Sequence, residues 1–311
     1  MRTCCQPGTF ADRTWLGPYT PGVSLAVIDL AFDPVLRLSD TASVRYETIG
    51  LAVVLFLGLL LAARIGSQTP AIGPYVPAPG LRVDDLVFIV FAAVPGAIVG
   101  GRLGAVLDHL DYYQSNPGAI VDPGQGGLTL TLAVPFGILT GALIARLLGA
   151  PVGRWLHATA LPLLFVLAAG KLIGVLGGTG QGDPTDLVWA TSYGGPGPWG
   201  SLGADIPSHP AQVYEAVLVA LAIAGLVAAP RLEVVARRDG AAMFVALGLW
   251  AVARFLVVFT WRDTPVLGPL RAEQVLALAV LAVAAVGFVE RSRAPMQSPV
   301  EPRLDMDARP A

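Results

Sequence analysis

The stretch Ser208-His-Pro-Ala-Gln-Val-Tyr-Glu215 sets His209, Gln212, Tyr214 and Glu215 at the head of a run that is otherwise apolar to Ala229. Pro210 suits the first turn of a helix, where its missing N–H would have had no intrahelical partner. The polar side chains that follow then occupy the first two turns. A carboxylate there complements the helix dipole, but that leaves Gln212 and Tyr214 unexplained, unless they anchor the helix at an interface. Tyr46, Arg102, Lys171, Arg254, Glu273 and Gln274 stand in or at the ends of other apolar runs. Arginine binds phosphate through paired hydrogen bonds and lysine as a point charge, so the cations point to an anionic ligand. One Arg or Lys near a helix end can simply snorkel to the interface. Several at one depth instead point to a shared wet cavity, because charge inside a span is costly.

The elements that must position these residues follow from composition. The chain has 311 residues, 54% of them hydrophobic and 14% charged, with a mean hydropathy of +0.66. That balance belongs to an integral membrane protein. A net charge of −2 gives no case for nucleic acid. Cys4 and Cys5 are adjacent and can form neither a disulfide framework nor a metal site. His109, His157 and His209 lie far apart, without HExxH spacing, and neither a GxSxG elbow nor a P-loop occurs. Neither metal nor cofactor is expected. Seven apolar runs, at 46–64, 86–107, 127–148, 155–178, 210–229, 240–261 and 270–290, each approach the roughly 20 residues a bilayer core requires. They predict an all-α bundle of seven transmembrane helices. Residues 1–45 form an extramembrane segment, 46–290 the seven-span domain and 291–311 a disordered tail.

Basic residues orient the bundle. Arg64, Arg82, Arg146, Arg154, Arg231, Arg237 and Arg238 fall in or beside alternate loops, whereas the second and fourth loops hold neither Lys nor Arg. The positive-inside rule then places the N-terminus outside and the C-terminus in the cytoplasm. Glycines spaced by four, at 96/100/104, 137/141 and 170/174/178, predict close helix contacts. The fourth loop, with Trp189, Tyr193 and Trp199, reads as a lid on the outer leaflet. In this frame Arg102, Lys171, Arg254, Glu215 and Glu273 share one level, about 8–12 Å below the outer surface. Their formal sum is +1, with Arg262 and Arg271 flanking.

These pieces resemble the prolipoprotein diacylglyceryl transferases, bacterial inner-membrane enzymes with seven spans. Residues 208–215, SHPAQVYE, resemble the family's HPxQxYE segment. In the family's order stand FDPVLRL, Tyr46 opening the first span, GGRLGAVL at 100–107, the glycine-rich regions beginning at Gly126 and Gly170, WAVARFLVVF at 250–259 and RAEQVLAL. The resemblance implies transfer of a diacylglyceryl group from phosphatidylglycerol to the lipobox cysteine thiol of a preprolipoprotein, with release of glycerol phosphate. The partners are then phosphatidylglycerol, lipobox-containing preprolipoproteins and membrane lipids. Arg102, Lys171, Arg254, His209 and Tyr46 are the catalytic candidates. Gln212, Tyr214, Glu215, Gln274 and Thr131 are the substrate-binding candidates.

The chain also departs from the pattern. Thr131 stands where the family carries a histidine, Lys171 replaces an arginine, Gly174 and Thr179 hold the asparagine and glutamate positions, and Trp250 replaces a tyrosine. His209, Tyr46 and Glu215 remain alternatives for the base that takes the thiol proton. A phospholipid-binding paralogue without chemistry is the alternative these departures motivate. A small-anion transporter is a third reading, and it requires a site near the midplane.

Overall fold

The computed structural model describes residues 28–39, 42–71, 79–122, 127–201, 203–229, 235 and 238–293. Cys4, Cys5 and most of the C-terminal tail lie outside these residues. Among the described residues seven helices are long and apolar enough to cross a membrane. They are α1 (Tyr46–Gln68), α2 (Val83–Asp108), α4 (Leu130–Leu147), α5 (Val152–Gly174), α6 (Ala211–Ala228), α7 (Ala241–Val257) and α8 (Ala272–Arg293). The short α3 (Leu110–Ser115) lies between α2 and α4, and a 3-10 turn, Val258–Thr260, extends α7. Large apolar side chains such as Phe91, Leu139 and Val286 stay more than 60% exposed, as lipid-facing positions do.

Among the described residues three small two-stranded sheets decorate one end of the bundle. β2 (Val35–Arg37) pairs antiparallel with β3 (Ser43–Arg45) just before α1. β5 (Pro265–Leu267) and β6 (Leu270–Arg271) form a second hairpin between α7 and α8. β1 (Ile28–Asp29) runs parallel to β4 (Thr191–Ser192), which ties the N-terminal segment to the long loop between α5 and α6. That loop is built rather than slack: Tyr193 and Ser208 are buried, and Thr191 and Ser208 exchange backbone hydrogen bonds.

Small residues set the helix spacing. A side chain at Gly100 would strike the Leu132 carbonyl and the Phe136 side chain, so α2 and α4 approach backbone to backbone there. The expected third glycine ridge does not form as one helix face. α5 ends at Gly174, and Gly178 adopts φ 73° in the turn beyond it, a left-handed conformation that suits glycine. The main core joins α5, α6, α7 and α8 around Leu164, Val219, Ala246, Trp250 and Val280. A second cluster packs Ala62, Leu86, Trp155 and Ala158 between α1, α2 and α5. Between these elements runs an apolar cleft of about 580 Å³, lined by Leu59, Val90, Ala97, Gly137 and Val166 among others.

Candidate functional site

The helices alternate in direction. The starts of α1, α4, α6 and α8 therefore meet the ends of α2, α5 and α7 at one end of the bundle. At that end Arg254 of α7 is the hub. It is 3% exposed. Its Nη1 donates to Glu215 Oε1 at 3.0 Å and Oε2 at 2.9 Å. Its Nη2 lies 3.5 Å from Glu273 Oε1, and its Nε donates to Thr131 Oγ1 at 3.2 Å. Thr131 in turn donates its hydroxyl hydrogen to Glu273 Oε2. From α5, Lys171 Nζ reaches Glu215 Oε2 at 2.9 Å. Four spans thus converge on one buried ionic network through Glu215, Arg254, Lys171 and Glu273, with Thr131 of a fifth span joining them.

Two contributors were not among the residues expected from the sequence. Trp261 lies under both cations, its ring centre 4.4 Å from the Arg254 guanidinium carbon and 5.7 Å from Lys171 Nζ. Such stacking favours a cation where water is excluded. Asp108, the last residue of α2, lies near Glu273 and Arg254, its Oδ1 buried without a hydrogen-bond partner. In the sequence it reads as the first residue of a polar loop, and only its position at the same level as the other charges could have marked it.

The remaining candidates divide into neighbouring groups. Arg102 does not join the ionic network through any hydrogen bond found there. Its guanidinium donates to the carbonyls of Ile120 at 2.8 Å, of Asp122 at 2.9 Å and of Ala119, and it lies 5.4 Å from the Tyr113 ring. The cause is local. The turn after α3 presents three backbone carbonyls to a side chain with five donors. The expected sum of +1 changes accordingly: without Arg102 and with Asp108, two cations face three carboxyl groups.

His209 Nδ1 lies 3.4 Å from the Tyr214 hydroxyl, which accepts a hydrogen bond from Trp189 Nε1 at 2.6 Å. Gln212 is 2% exposed and donates to the Tyr193 hydroxyl at 3.4 Å, while its Oε1 is buried without a partner. Gln274 is spent on backbone: it accepts from Arg271 N at 2.9 Å and donates to Phe255 O at 3.3 Å. Tyr46 opens α1, 38% exposed, its N–H bound to Pro34 O at 3.0 Å.

The long loop is braced from beneath. Arg262 donates to Gly182 O at 2.7 Å and Ser208 Oγ at 2.8 Å, and burial draws its pKa below the usual arginine value. Arg271 reaches Asp183 Oδ2 at 3.3 Å. Burial nevertheless raises the Asp183 pKa, outweighing Arg271 and Arg262 beside it. Tyr193 packs against Trp199 with ring centres 4.7 Å apart, and burial pushes its pKa to about 12. Thr179 donates to Glu47 Oε2 at 2.9 Å, and Arg45 donates to Gly177 O at 3.0 Å, so the glycine-rich turn is pinned to the start of α1. Among the described residues no group of three or more His, Cys, Asp or Glu side chains is placed to hold a metal ion.

Comparison with known proteins bears on this arrangement. The family described as prolipoprotein diacylglyceryl transferase matches residues 35–290. A phosphatidylglycerol–prolipoprotein diacylglyceryl transferase of Geobacter sulfurreducens is 33% identical over 185 residues, covering 58% of this chain and 66% of that protein. Proteins of the same name are 27% identical in Bacillus mycoides, covering 76% of this chain and 84% of theirs, and in Nitrobacter hamburgensis, covering 76% and 79%.

Proposed function

Since the chain belongs to the prolipoprotein diacylglyceryl transferase family, we propose that it moves the diacylglyceryl group of phosphatidylglycerol onto the lipobox cysteine thiol of a preprolipoprotein, releasing glycerol phosphate. The observation that carries this reading beyond family membership is the convergence of Lys171 and Arg254 on one carboxylate at one end of the bundle. Both cations are held in place before any lipid arrives, so they need little reorganisation when a phosphate leaves with added negative charge. Glu215 pairs with both and shares them with the phosphate when lipid binds.

The apolar cleft suits the other half of the substrate. Its lining runs along α4 from Leu130, next to Thr131, to Ala145. A headgroup at the ionic end can therefore have its acyl chains in the cleft. The site end faces outward, with the N-terminus outside and the C-terminus cytoplasmic, in the bacterial inner membrane; the arginine-rich loops at the opposite end support this. Arg102 shapes the turn at 117–122, and His209, Gln212 and Tyr214 hold the long loop over the site. The attacking nucleophile is the substrate's own thiolate, so the enzyme needs no cysteine.

The test is transfer by the purified protein in vesicles containing phosphatidylglycerol, with a lipobox peptide as acceptor. Thioether formation with release of glycerol phosphate is expected, and Arg254→Ala and Lys171→Ala are expected to abolish both. Full activity in both variants refutes the phosphate assignment.

A further inference from the structure

Lys171 and Arg254 converge on one carboxylate, each 2.9 Å from Glu215 Oε2. Two like charges held that close and largely out of water repel each other strongly. Trp261 gives both a further contact. Its ring centre lies 4.4 Å from the Arg254 guanidinium carbon and 5.7 Å from Lys171 Nζ, within the roughly 6 Å over which a ring face attracts a cation. A carboxylate attracts a cation by taking up its N–H donors. A ring face attracts it through its quadrupole, with no acceptor atom that claims a donor. Among the described residues Lys171 forms one ion pair, with Glu215, and an ammonium has three donors. Its side chain is also the more open of the two, 18% exposed against 3% for Arg254. The ring is seated from both sides. Trp261 donates its own N–H to Val258 O at 3.1 Å. Before it, Thr260 O accepts from Asp183 N at 2.7 Å. After it, Arg262 donates to Gly182 O and Ser208 Oγ.

We propose that Trp261 is a positioning residue of this enzyme, whose ring holds Lys171 and Arg254 together as one phosphate-binding pair and leaves their donors to the lipid phosphate. This rests on the transferase reading above. An ammonium lacks the planar fork by which a guanidinium fixes itself against a phosphate, so Lys171 needs a constraint from its surroundings. The ring supplies it. As the phosphate draws on the two cations, it competes with Glu215 for their donors. It does not compete with the ring, because ring and phosphate use different parts of each cation. The segment Thr260–Arg262 that carries the ring also holds the long loop at Gly182, Asp183 and Ser208, so one short piece of chain sets both the cations and the loop.

Two measurements test the proposal. The first replaces Trp261, by site-specific incorporation, with tryptophans that carry successively more ring fluorines. Fluorine changes the shape of the ring little and drains electron density from its face. Transfer from phosphatidylglycerol vesicles to a lipobox peptide is expected to lose kcat/KM stepwise as fluorines are added. Trp261→Leu, which has no ring, should lose about tenfold or more, and Trp261→Phe should retain part of the activity. A ring that only fills space or anchors the chain at the interface predicts a kcat/KM indifferent to fluorination, and that result overturns the proposal. The second needs no activity: thermal unfolding in detergent of Trp261→Leu, Lys171→Met and the double variant. Ring and ammonium are expected to be coupled, so the double variant should melt about 1–4 °C above the value obtained by adding the two single shifts. Additive shifts overturn the proposal whatever the transfer assay shows. Coupling in the unfolding series with a parent that transfers nothing refutes the transferase reading instead.

Discussion

Replacing Glu215 with glutamine is the sharpest perturbation of the ionic network. Glu215 is 1% exposed. It accepts from Arg254 at 3.0 and 2.9 Å and from Lys171 at 2.9 Å. Glutamine keeps the shape but removes the charge that both cations face. Breaking a buried ion pair from one side costs about 3–5 kcal/mol, because the partner charge stays buried. The glutamine carbonyl still accepts one hydrogen bond from a cation, which offsets about 1.5 kcal/mol of that. A net loss of about 1.5–3.5 kcal/mol remains, and at about 2–4 °C per kcal/mol for a domain approaching this size the melting temperature should fall by roughly 3–14 °C. Thermal unfolding of parent and variant in the same detergent measures it. Lys171→Met in the Glu215→Gln background removes one of the stranded cations and should recover part of the loss, a coupling above about 0.5 kcal/mol. A variant that melts within about 1 °C of the parent, with no coupling to Lys171, refutes the view that Glu215 pairs with both cations.

Arg102→Gln should loosen the turn it holds. Amide exchange across residues 117–122 is expected to rise, while transfer falls less than in Arg254→Ala; unchanged exchange there contradicts its assignment to the turn. Tyr193 makes a pH prediction. Its folded-state pKa of about 12 lies above the ordinary 10.0, so the folded protein holds that proton more tightly than the unfolded chain. The stabilisation is complete below pH 10 and declines as pH rises toward 12. Denaturation in detergent, compared for parent and Tyr193→Phe on either side of pH 10, should show a steeper alkaline loss in the parent.

Much of the architecture is legible in the linear chain, because spanning a bilayer is a local requirement. A run of about 20 apolar residues with few charges must become a helix, since lipid offers its backbone no other hydrogen-bond partners. The seven helices are therefore readable to within a few residues, and so are the glycine contacts of α2 with α4. The common level of Lys171, Glu215, Arg254 and Glu273 also follows from counting residues along alternating helices.

Which of those charges meet cannot be counted in this way, because it depends on how each helix is rotated about its own axis. Arg102 shares the level, yet its guanidinium is taken by the carbonyls of Ala119, Ile120 and Asp122. Asp108 reads as a loop residue and Trp261 as the last residue of its span, yet Asp108 Oδ1 is buried and Trp261 underlies both cations. Hydrophobic length is a property of a segment and survives in one dimension. The convergence of charges on Arg254 is set by side-chain packing between segments, and only the assembled bundle decided it.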